Sequence, residues 1–199
     1  MKILYSDQEI AVIFKPAGML SEAKENDENT VPAALSAYLN IKTVFPVHRL
    51  DRETRGIMVY ALTKPAAAEL SRQAAEGELK KIYTATVHGR PEFDSGEMQD
   101  LLFYDRGKNR SFPVTRERRG VKSARLYYEV LEYNKESNTS RVKIELFTGR
   151  THQIRVQFAS RRMPLVGDRK YGAPKGDFDL TACELSFYHP KTKEFLSFV

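Results

Sequence analysis

One cysteine, Cys183, stands in 199 residues, which excludes an internal disulfide framework and suits a reducing compartment. Its surroundings, Leu180 to Glu184, lead into an apolar strand, so the thiol is expected to be a small buried side chain and not a nucleophile. The histidines, His48, His88, His152 and His189, show no ligand-like spacing and the thiol is alone, so no metal site is expected. Long apolar runs are missing too, and nothing approaches the roughly 20 residues that cross a bilayer. The start, Met1 to Asp7, turns polar too soon for a signal peptide, and a soluble, cytoplasmic protein is the expectation. Repeats, low-complexity tracts and Pro/Gly/Ser linkers are absent as well. A single domain over residues 1–199 is expected from that length, and a monomer is the expected state although the sequence does not determine it.

Positive charge is what the chain has in excess, with 32 lysines and arginines against 26 acids. That balance points either to a polyanionic partner or to an ordinary basic surface. Its distribution is uneven. Between Asp105 and Arg125 stand Arg106, Lys108, Arg110, Arg116, Arg118, Arg119, Lys122 and Arg125 against Asp105 and Glu117, a local excess equal to the net charge of the whole chain, +6. Phe103, Tyr104 and Phe112 are interleaved with these charges and either stack on nucleic-acid bases or belong to a core.

Hydrophobic alternation predicts a hairpin of Lys2 to Tyr5 with Ile10 to Phe14, and strands at Ile57–Leu62, Lys80–Val87, Ala124–Tyr133, Val142–Phe147, Glu184–Tyr188 and Glu194–Phe198. Helices are predicted after Thr30 and Thr63, each with proline in the first turn, and after Thr151 as a cap. Strands in series with interspersed helices argue for the α+β class with a largely antiparallel sheet.

Two stretches carry candidate chemistry. His48-Arg49-Leu50-Asp51-Arg52-Glu53-Thr54-Arg55-Gly56 lies on the bend between an extended Phe45-Pro46-Val47 and the strand from Ile57. Asp51 stands between Arg49 and Arg52, whose charges favour an ionised carboxylate suited to nucleophilic or base work; a plain surface ion pair is the competing reading. The second stretch, Phe147 to Ala159, passes through a Thr-Gly turn into a helix on which His152 and Arg155 share one face and Ile154 and Phe158 another.

Together these stretches resemble the signatures of the RluA family of pseudouridine synthases, in which His-Arg-Leu-Asp holds the catalytic aspartate and Gly-Arg-Thr-His-Gln-Ile-Arg completes the site. Ile10 to Gly18, Lys81-Ile82-Tyr83, Pro164 to Gly172 and Leu185 to Pro190 match further family segments in the family's order. The resemblance implies a mixed, mostly antiparallel central sheet around a catalytic cleft, without the small RNA-binding S4-type domain that many members carry in front. It implies an RNA uridine isomerase acting on rRNA or tRNA by base flipping, with no metal or cofactor. Asp51 would be the catalytic aspartate, Arg155 its ion-pair partner, and Tyr83 the ring against the uracil and a candidate proton relay. Arg49 would fill the gap left by the flipped nucleotide. Arg52, Arg55, Arg150, His152 and Ile154 are carried as substrate-contacting positions, with capping or bonding inside its own helix as the alternative for His152 and a cross-strand pair as the alternative for Tyr83. Arg55 stands where the family usually has serine, and Gln157 replaces a frequent histidine. A catalytically silent RNA-binding protein with the same fold is the second reading; a metal-dependent nuclease is disfavoured because no carboxylate cluster accompanies Asp51. Which RNA and which uridine are modified is not legible.

Overall fold

A computed structural model describes residues 1–23 and 27–199. In chain order these form β1 (Lys2–Ser6), β2 (Ile10–Lys15), α1 (Val31–Leu39), β3 (Phe45–Pro46), β4 (Arg55–Ala61), α2 (Lys64–Glu76) and β5 (Lys80–His88). There follow β6 (Ser95–Asp105), β7 (Arg110–Val114), β8 (Val121–Asn134), β9 (Thr139–Leu146), α3 (Gln153–Ser160), a short 3-10 turn (Arg169–Tyr171), β10 (Leu180–Tyr188) and β11 (Phe195–Phe198). The class is α+β, as the alternation of strands and helices predicts. The chain divides into two compact units, Met1–Lys81 with Ala182–Val199, and Ile82–Thr181.

In the first unit, β2 runs antiparallel between β1 and β4, with Ile10 opposite Ala61 and Lys15 opposite Gly56. Strands β2 and β4 are buried along nearly their whole length, which is why both read as continuous apolar runs and not as alternations. Ile10, Val12, Ile57, Val59, Leu70, Leu185 and Phe187 meet in one core cluster beneath α2. Both helix starts fall where predicted. Thr30 and Thr63 keep extended backbones and their hydroxyls accept the N–H of Ala33 and Ala66 at 3.3 and 3.2 Å. Asn40 and Gly77, both left-handed, close the helices. β10 pairs antiparallel with β11. Along β10 the inward positions are Leu180 and Ala182, so Cys183 is half-buried, a correction to the expected buried thiol.

In the second unit the antiparallel strand order is β5-β9-β8-β6-β7. β8 shows a period-two burial pattern from Ala124 to Tyr128, the mark of a sheet with one covered face. Helix α3 lies over that face, where Val156 packs with Leu102, Ala124 and Tyr171 and the Phe158 ring meets Tyr128 edge-on. Strands β6 and β7 escaped the sequence reading for a physical reason. Asp100 interrupts the apolar face of Met98 and Leu102, and its carboxylate is satisfied by Gln157 Nε2 at 2.8 Å and Arg161 at 2.9 Å, partners some 60 residues away. Gln157 is fully buried and also donates to the Met98 carbonyl, so the residue standing in place of the family's histidine braces α3 against β6.

Candidate active site

The first unit carries the Asp51 turn, and backbone hydrogen bonds fasten it on both sides. The Ser21 hydroxyl donates to the Leu50 carbonyl at 2.9 Å and accepts the Leu50 N–H at 3.3 Å. On the other side the Arg52 carbonyl accepts both the Gly18 N–H at 2.8 Å and the Lys15 ammonium at 3.0 Å, while Arg52 Nε donates back to the Gly18 carbonyl. Lys15 is fully buried and also donates to the carbonyls of Pro16 and Met19. Burial pushes its ammonium down to about 8, opposed by the charges of Asp51 and Glu53. His48, at the head of the motif, accepts the Val59 N–H through Nε2 and so pins the turn to β4. Desolvation holds it down to about 3, so the ring is neutral. Gly56 closes the turn at φ +133°, where a Cβ would lie 2.5 Å from the Ala182 nitrogen.

Asp51 is half-buried, whereas Arg49, Arg52 and Arg55 are exposed. Arg49 pairs with Glu22 at 3.3 Å, and Arg52 Nε donates to the Gly18 carbonyl at 2.9 Å.

The second unit carries Tyr83, Arg150, His152, Ile154 and Arg155. Tyr83 is buried on β5 opposite Ile144. Arg155, on the first turn of α3, is buried and makes a bidentate ion pair with Asp168, Nε to Oδ2 at 2.7 Å and Nη2 to Oδ1 at 2.8 Å. The rings of Tyr171 and Phe178 lie 5.2 Å from its guanidinium carbon. The predicted Thr151 cap is corrected. The N-cap is His152, whose backbone is left-handed at φ 54° and whose side chain makes no capping bond. The Gln153 amide oxygen takes the Arg150 N–H at 3.0 Å and the Thr148 hydroxyl at 2.8 Å. The Ser111 hydroxyl holds the Thr151 carbonyl at 2.5 Å. His152 is thereby turned to Tyr171, with Nδ1 3.0 Å from the phenol oxygen. Ile154 is buried, and Arg150 is half-buried with Nε on the Ser123 carbonyl.

The basic segment is resolved into a β6–β7 hairpin and the start of β8. Its aromatics are half-buried, and the cations lie on them: Arg118 is 4.9 Å from the Phe103 ring, and Lys108 and Arg110 are 5.7 and 5.4 Å from Phe112. Arg110 also lies 4.8 Å from the Tyr171 ring. Lys170 donates to the Asn109 carbonyl and so adds a cation from a distant segment. Sequence reasoning assigned no role to Asp168 or Tyr171, although both stand in the quoted Pro164–Gly172 stretch; the only signal was the family match of that stretch. Among the described residues no group of three or more His, Cys, Asp or Glu side chains gathers as a metal site, and no helix is long and apolar enough to cross a membrane.

A family model described as RNA pseudouridylate synthase matches residues 9–160. The sequence is 37% identical to the dual-specificity RNA pseudouridine synthase RluA of Pasteurella multocida over all of this chain and 91% of that relative. The RluA of Escherichia coli K12 is 39% identical over 87% of the chain and 78% of the relative. An uncharacterized RNA pseudouridine synthase of Bacillus subtilis, YhcT, is 35% identical over 98% of the chain and 67% of the relative. Among solved structures, human RNA pseudouridylate synthase domain containing 4 shares the fold, with a TM-score of 0.79 at 23% identity over the whole chain and 87% of its own.

Proposed function

The chain belongs to the RNA pseudouridylate synthase family, and on that premise we propose that residues 1–199 act as one catalytic domain in which Asp51 is the reacting carboxylate. The reaction is an isomerisation of uridine in RNA. The bond from ribose C1′ to uracil N1 breaks, the base turns, a bond from C1′ to C5 forms, and the C5 proton leaves as N1 regains one. The target uridine is taken out of its stack before this chemistry begins.

Asp51 supports that role because its turn is fastened on both sides by backbone hydrogen bonds while the carboxylate itself is only half-buried. A preorganised group on a rigid turn needs no rearrangement when the sugar arrives. The family resemblance assigns Arg155 as its ion-pair partner. Tyr83 is the ring against the uracil, with its hydroxyl as proton relay. Arg49, exposed, braces the gap left by the flipped nucleotide, and Arg52, Arg55 and Arg150 contact phosphate. The basic hairpin from Asp105 to Arg125 supplies sequence-independent phosphate attraction. The substrate classes proposed are rRNA and tRNA, and the relatives' name, dual-specificity RNA pseudouridine synthase, fits acceptance of more than one RNA.

Tritium release from RNA labelled at uridine C5 tests this reading, with wild type and Asp51→Asn on separate tRNA and rRNA pools. Release by the wild type alone is expected, and the responding pool names the substrate class. Equal release by Asp51→Asn would overturn the assignment of Asp51, and binding without release by the wild type would favour the silent RNA-binding reading.

A further inference from the structure

The loop from Leu165 to Tyr171 is built to hold one group. Gly167 has φ +74°, and a Cβ there would lie 2.5 Å from the Asp177 backbone, so no other residue fits the bend. The Asp168 N–H is held by the Leu165 carbonyl, and its own carbonyl receives the N–H groups of Tyr171 and Ala173 at 3.0 and 3.1 Å. The loop is also fixed to the strand that carries Tyr83. Leu165 bridges Val87, the Val166 N–H donates to the Thr86 carbonyl at 2.8 Å, and the Thr86 hydroxyl donates to Asp179 at 2.6 Å. One short segment therefore spaces the Arg155 guanidinium against β5.

We propose that Asp168 is a positioning residue for the isomerisation, acting through Arg155; this rests on the role given above to Arg155. Both carboxylate oxygens engage one edge of the guanidinium, which fixes the plane and direction of the remaining N–H groups. The Asp168 side chain is 1% exposed and that of Arg155 8%, so the pair has left water almost completely. Replacing a desolvated ion pair by an apolar pair of similar volume is often neutral or stabilising, so such a pair is weak evidence of a stability role. What the pair supplies is a fixed orientation, and misplacing a reacting group by about 1 Å costs on the order of 100-fold in rate.

The test is single-turnover tritium release together with RNA binding, each rate expressed per binding-competent molecule, for Asp168→Asn, Asp168→Glu, Arg155→Lys and the double variant Asp168→Asn/Arg155→Lys. Asp168→Asn is expected to lower the rate about 100-fold while RNA affinity stays within about 3-fold. In the Arg155→Lys background, where no bidentate fork remains, the same change should cost less than about 5-fold, the non-additivity expected of residues acting through one another. Asp168→Glu keeps the buried charge paired and so keeps the fold, but moves the guanidinium by a methylene, and about a 10-fold loss is expected; if Asp168→Asn does not fold, this variant decides. A wild-type rate in Asp168→Glu, or additive losses in the double variant, would overturn the proposal. A wild-type rate in Arg155→Lys would instead overturn the role of Arg155.

Discussion

The Asp51 turn and the start of α3 both place charged side chains at a bend, yet the two bends are held in opposite ways. Around Asp51 the arginines are exposed, and the turn is held by carbonyls, a serine hydroxyl and a buried lysine. Around Arg155 the charges themselves are buried and do the holding, through Asp168. The first turn is fixed through its backbone, whereas fixing a side chain by a buried partner commits that partner to orientation. The proposed function assigns exposed arginines such as Arg49 and Arg55 to the encounter with a polyanion, and Arg155 to the reacting centre.

The strongest way to break the contrast is at Gly56, where the backbone alone sets the turn. Gly56→Ala places a methyl against the Ala182 backbone at φ +133°, and a loss of about 3 kcal/mol or more is expected, read as loss of the cooperative thermal transition. A melting temperature within a few degrees of wild type would show that the turn is not anchored there. Next in size is the exposed charge. Reversing Arg106 and Arg119 together should weaken RNA binding at least about 10-fold and lower the slope of affinity against salt by about 2, with the saturated rate unchanged. A slope that did not move would remove the hairpin from the RNA interface.

Lys15 sharpens the comparison through pH. Its folded-state value, about 8, lies below the ordinary 10.5, so between those values the unfolded chain binds more protons and stability rises with pH. Urea unfolding should show wild type gaining on Lys15→Met above pH 8, by at most about 1.4 kcal/mol per pH unit, the limit for one proton. Parallel pH profiles would contradict a buried, charged Lys15 at neutral pH. Smallest is Thr63→Ala, which removes a helix cap at a cost of about 1 kcal/mol in the same measurement.

Legibility in the sequence followed the range of the interactions. Thr30 and Thr63 cap their helices through residues three positions on, and β2 and β4 announce their burial by their own composition, so these were readable. Asp168 was matched within a motif, but its partner is 13 residues away across a bend that only Gly167 permits. Thr151 is the better cap by local preference, yet the contacts of Ser111 and Tyr171, from 40 and 19 residues away, place His152 at the helix start instead. β6 was hidden because Asp100 faces inward and is satisfied by α3 and Arg161. The assignment of Asp51, Tyr83 and Arg155 to one set comes from the family resemblance and not from local pattern.

The central claim is that Asp51 performs the chemistry while its exposed neighbours perform the binding. The affinity and the single-turnover rate of Asp51→Asn, measured on the same RNA as wild type, test it most directly. The account predicts affinity within about 3-fold and no detectable conversion, since the substitution keeps the shape of the side chain and removes only its charge. Conversion at a rate near that of wild type, or loss of binding in step with loss of rate, would contradict it.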